Sequence, residues 1–170
     1  LGSQHVPGPE QGRLREALLA TQRLQQEWGK TRQLLIAEKG LSVPYHAPPD
    51  DPLQRSFADL TARNLIVAKS VDPVIYYSHY LGASPWTCLR LMSEGRESTE
   101  EQPVQDFGLW KVTCDRQGTL YYHPRPAAAA YATVARVLAS SSQPEELSVR
   151  QGLYAYLFRT DRGAVAAVWI

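Results

Sequence analysis

The sequence predicts an α/β fold that runs into an antiparallel β segment near its end. Two observations carry the α/β part. Helix-spaced apolar residues at 10–28 precede the short apolar run Leu34-Leu35-Ile36-Ala37, and a helical stretch at 51–70 precedes a second run, Val74-Ile75-Tyr76-Tyr77. Short returns from helix to strand suit parallel strands joined by crossover helices. The third observation is a change of period from Leu147 onward. There Tyr154, Tyr156 and Phe158 fall on one face and Leu153, Ala155 and Leu157 on the other, as a half-buried strand requires.

In the first helix Leu14, Leu18, Leu24 and Trp28 make the apolar stripe, with Thr21 a gap in it, and Gly29 supplies a stop. After a short basic connection, residues 34–37 read as a buried strand ending at Glu38. A loop over 41–51 follows, with three prolines and two acidic residues. Asp51 can cap the second helix, Pro52 fits its first position, and Gln54 completes a capping-box-like spacing. The stripe Leu53, Phe57, Leu60, Asn64 and Val67 or Ala68 continues it.

Residues 81–124 read as a long irregular segment, ordered by Trp86, Phe107, Trp110, Tyr121 and Tyr122. Pro126 opens a third helix over 127–139 with Tyr131, Val134 and Leu138 on one face, and Ser140-Ser141-Ser142 ends it. Asp161-Arg162-Gly163 then turns a β-hairpin whose return strand spans 165–170.

Composition narrows the classes. The chain has 170 residues, 44% of them hydrophobic and 21% charged, which is an ordinary globular balance. A net charge of +1 supplies no electrostatic reason to expect nucleic acid or an anionic membrane as partner. No apolar run reaches the roughly 18–20 residues that span a bilayer. Both ends look cut: the first residues carry neither an initiator methionine nor signal-peptide regions, and the last run is apolar. The chain therefore reads as a piece of a longer protein. Export stays open, with a secreted or periplasmic location compatible. Cys88 and Cys114 are too few and too far apart for a zinc or CxxC motif. Two free thiols are the ordinary reading, and pairing stays open.

Glu38 is the residue with the most chemical promise. In α/β proteins ligands and catalytic groups collect at the carboxyl ends of parallel strands. A carboxylate leaving a buried strand there is placed to act as nucleophile or base. The bland reading is a solvated carboxylate, or one paired with Lys39 or Arg32.

The order of elements, together with His123-Pro124-Arg125-Pro126-Ala127 leading into Tyr131-Ala132, resembles the carboxyl-terminal part of a (β/α)8-barrel (TIM-barrel) glycoside hydrolase. The superfamily in question places its nucleophilic glutamate at the end of strand seven. The resemblance aligns residues 14–28 with helix six, 34–38 with strand seven and 51–70 with helix seven. Residues 74–77 then match strand eight, and 123–139 the closing helix after a long eighth loop. It implies a partial barrel, about strands six to eight with their helices, over residues 1–142, and the start of an antiparallel β-domain over 143–170. A full barrel needs roughly 250 residues, so strands one to five would lie outside this chain. There are departures. Tyr76, Tyr77, His79 and Tyr80 stand where the family commonly has a tryptophan, and Lys39 follows the glutamate where a small or apolar residue is frequent.

The implied reaction is hydrolysis of O-glycosidic bonds with retention. It needs two carboxyl groups about 5–5.5 Å apart, one attacking the anomeric carbon and one serving as acid and base. Glu38 would be the nucleophile, and its acid/base partner would come from strand four, outside the chain. Alone, the chain would be inactive. His5, Tyr76, Tyr77, His79 and Tyr80 would lie near the barrel mouth, and Trp86 and Trp110 on the eighth loop, as substrate-binding candidates. Each also fits a packing role. His46 and His123 have no partners at ligand spacing, so no metal site and no cofactor is expected. Tyr154, Tyr156 and Phe158 suit a β-domain core better than a sugar-binding stripe. The expected partner is a carbohydrate substrate, with oligomeric state open. Two alternatives stand beside this reading: a catalytically inactive barrel that binds carbohydrate or acts as a scaffold, and a complete small α/β protein that binds partners through its aromatic loop.

Overall fold

The structure is a computed structural model. It describes residues 13–30, 32–36, 43–45, 47–71, 90–95, 108–115, 117–142, 144–147 and 152–170, and the backbone of 74–76 and 105–106. The chain is mixed helix and strand. In order it forms α1 (Leu14–Glu27), β1 (Leu34–Ile36), β2 (Val43–Pro44), α2 (Pro52–Lys69), β3 (Val74–Tyr76) and β4 (Gln105–Asp106). Then come β5 (Trp110–Cys114), β6 (Leu120–Pro124), α3 (Pro126–Leu138), β7 (Glu145–Glu146), β8 (Tyr154–Thr160) and β9 (Gly163–Trp169).

β1 and β3 pair in parallel, Leu34 opposite Val74 and Ile36 opposite Tyr76. The chain between them holds α2, so the two runs read as buried strands are neighbours in one parallel pair. The other sheets are small and antiparallel: β2 with β4, β5 with β6, and β7-β8-β9. Among the described residues no sheet closes into a barrel.

The chain divides into two compact units. One comprises Leu1–Ile36, Ala62–Tyr76 and Ala132–Ile170; the other comprises Ala37–Thr61 and Tyr77–Tyr131. In the first, Leu18, Leu34 and Val71 form a buried cluster flanked by Leu14, Leu19 and Ile36. α1 ends where expected, with Gly29 at φ 63 and its N–H donating to Gln26 O. Its apolar stripe is shorter than the spacing suggests. Leu18 is buried, but Leu24 is 49% and Trp28 75% exposed. The helix buries its first two turns only, because nothing among the described residues covers the last.

The closing hairpin forms where the period-two pattern predicts it, but burial does not alternate cleanly, since Ala155 of the other face is buried too. Tyr156 and Phe158 are buried, and Tyr154 and Tyr156 both stack on the Trp169 ring, with centroids 6.0 and 5.4 Å away. Arg63 lies 5.9 Å from the same ring. At the turn, Thr160 Oγ1 accepts from the Arg162 N–H and donates to Gly163 O. Gly163 at φ 131 occupies backbone space that side chains disfavour.

The segment 81–124 departs most from expectation. Its second half is a hairpin of five-residue strands, with Trp110 opposite Pro124 and Val112 opposite Tyr122. A helical turn also occurs at residues 90–93. The alternation over 110–114 is weak because Lys111 and Thr113 flank one apolar residue, and Tyr121 and Tyr122 break it on the partner strand. Long-range pairing, not local propensity, makes these residues extended. The reading of two free thiols is also overturned. Cys114 is disulfide-bonded, and among the described residues no cysteine is free. Its sulfur lies 3.0 Å from Met92 Sδ.

Candidate functional site

Of the residues singled out from the sequence, Glu38, His5, Tyr77, His79, Tyr80 and Trp86 lie outside the described residues, as do Lys39, His46 and Cys88. Tyr76 is placed by its backbone, as the last residue of β3 and opposite Ile36 of β1. The parallel strands therefore end in register. In sequence Glu38 comes two residues after the end of β1, and Tyr77 directly follows β3. Trp110 opens β5 and is 36% exposed, so it belongs to a strand and not to an irregular loop.

The second unit contains a cavity of about 290 Å³ lined by the loop before α2, the start of α2, the β5–β6 hairpin and the start of α3. It is built from the pairing upward. Lys111 sits opposite His123, and Thr113 opposite Tyr121. Side chains alternate along a strand, so Lys111, Thr113 and His123 share one face of the hairpin. His123 Nε2 and Thr113 Oγ1 are 3.0 Å apart, a diagonal hydrogen bond across the pair. The Lys111 ammonium lies 5.2 Å from the centre of the Tyr45 ring, within cation–π range. The Tyr45 hydroxyl donates to the backbone carbonyl of Val112, tying the chain after β2 to the same hairpin.

Prolines shape the opposite wall. Ala47 N–H donates to Pro44 O and Asp51 N–H to Pro48 O, and the second of these closes a turn that leads into α2. Asp51 Oδ1 accepts from the Leu53 N–H at 2.7 Å, the cap that its position suggests. Gln54 does not complete a capping box. Its amide is turned inward, 2% exposed, with Nε2 3.4 Å from Ala47 O. On the far side Arg125, 3% exposed, donates its N–H to Leu109 O and leads into Pro126 at the first position of α3.

At the hairpin tip, Asp115 Oδ1 accepts from the N–H groups of Gln117 and Thr119, and Oδ2 accepts from the Tyr121 hydroxyl. The Thr119 N–H foremost, helped by Tyr121 and Gln117, holds the Asp115 carboxyl below its ordinary value of 3.8. The hydrogen bond to Asp115, and then its charge, hold the Tyr121 phenol above 10.0.

Sequence reasoning did not single out this cavity. The sequence pattern places His123 in a loop and Gln54 in a cap. A usable signal was present: Asp115 and Gly118 lie between two stretches of equal length, a hairpin signature. Among the described residues, no group of three or more His, Cys, Asp or Glu side chains is placed to hold a metal ion. No helix among them is long and apolar enough to cross a membrane. No family model, curated protein or solved structure matches this chain.

Proposed function

We propose that the chain is the carboxyl-terminal part of a (β/α)8 glycoside hydrolase that cleaves O-glycosidic bonds with retention, with Glu38 as nucleophile. The observation that carries this reading is the parallel pair β1–β3, joined through α2 and ending in register, with Glu38 following β1 in sequence. That is the unit from which such a barrel is built, and the strand end is where its chemistry sits.

Exposed apolar residues add support. Parallel strands in α/β proteins are covered on both faces. Leu35, in the middle of β1, is 61% exposed, and Trp28 of the preceding helix end is 75% exposed. Further barrel elements would cover them. The acid/base carboxyl of the pair would also come from those elements.

The test uses the intact parent protein and an activated aryl glycoside. Glu38→Gln keeps the size and loses the nucleophile, so turnover should fall by several orders of magnitude. In Glu38→Gly, added azide should restore turnover and yield the glycosyl azide of inverted configuration. Full activity in Glu38→Gln would remove the assignment. An intact protein that binds sugar without turnover would favour the inactive, carbohydrate-binding barrel.

A further inference from the structure

We propose that the cavity between the β5–β6 hairpin and the starts of α2 and α3 is a binding site for a small phenol, one aromatic ring carrying a hydroxyl donor. This site is independent of Glu38 and of the glycosidase reading.

Size sets the first limit. At about 290 Å³ the cavity lies at the lower end of small-molecule sites, which run from about 300 to 1,000 Å³. It holds one ring and not an oligomer.

The walls set the second. Pro48, Pro49, Pro124 and Pro126, with Ala47, present saturated C–H surface. Flat C–H faces complement the electron-rich face of an aromatic ring. Among the described residues the charged lining groups are Lys111 and Arg125. Cations favour an aromatic face, as Lys111 already does at 5.2 Å from the Tyr45 ring.

The third limit comes from Gln54. This side chain lines the cavity and is 2% exposed. Its Nε2 reaches Ala47 O, while Oε1 has no hydrogen-bond partner among the described residues. A buried acceptor without a donor is an exception that needs a cause. A ligand hydroxyl supplies the missing donor, and a phenol supplies it from an aromatic ring.

The test titrates three probes into the intact protein with binding read by calorimetry: phenol, toluene (no hydroxyl) and cyclohexanol (no π face). Phenol should bind saturably and at least about tenfold more tightly than either, as one net hydrogen bond or one ring contact predicts. Gln54→Leu should bring phenol down to the level of toluene while leaving toluene binding unchanged, which also reports that the cavity has kept its shape. Equal binding of the three probes, no saturable binding of any, or an unchanged phenol preference in Gln54→Leu would each overturn the proposal. The wild-type comparison decides the question even where the variant does not fold.

Discussion

Asp115 holds the tip of the β5–β6 hairpin through three accepted hydrogen bonds, and its effect should be visible in pH. Its folded carboxyl is depressed, so its contribution is present above the unfolded value and is lost as pH falls through the folded one. The Tyr121 phenol is raised, so its contribution is present below 10.0 and is lost as pH rises through the folded value. The hairpin should therefore be firmest between these limits. Asp115→Asn removes the charge while keeping an acceptor, and the Tyr121 titration should move down toward 10.0. Carbon-13 NMR of labelled tyrosine ring carbons checks this, and an unmoved Tyr121 would show that the pair is not coupled. Lys111, Thr113 and His123 show the same dependence on a partner strand, since only pairing puts them on one face of the cavity.

α2, like α3, contributes residues to both units, and its start is held by one side chain. Asp51 satisfies the Leu53 N–H, one of the donors that a helix start leaves without an internal partner. Asp51→Ala should cost about 1 kcal/mol, the usual value of such a cap. Urea denaturation should show this as a lower midpoint with an unchanged slope. An unaffected midpoint would mean that burial of Phe57, Asn64 and Val67 holds the helix without its cap. Much of this element was readable, because Asp51, Pro52 and the stripe from Leu53 to Val67 act locally. The inward turn of Gln54 was not. A capping box and a buried amide share one sequence, and only the neighbouring Ala47 carbonyl separates them.

At the scale of the molecule, the exposed apolar side chains set the behaviour of the chain alone. Leu35 is 61%, Trp28 75%, Val168 59% and Ile170 84% exposed. β9 is also an edge of its three-stranded sheet, with an unpaired row of backbone groups among the described residues. The 170-residue chain by itself should associate in a concentration-dependent way by sedimentation velocity, and should not turn over an aryl glycoside. A clean monomer at every soluble concentration would argue that these faces need no cover. Turnover by the chain alone would contradict the need for a second carboxyl from outside it.

The sequence by itself determined the helices, the two apolar strand runs and the closing hairpin, because caps, prolines, glycines and short periods act over a few residues. It also marked Glu38, by position after a short apolar run, although the structure leaves Leu35 of that run exposed. Tertiary structure decided the rest. It paired β1 with β3 in parallel and β5 with β6 antiparallel, joined Cys114 in a disulfide and gathered Gln54, Lys111, His123 and four prolines around one cavity. Those outcomes depend on contacts between residues far apart in the chain, and no local pattern encodes which distant partner wins.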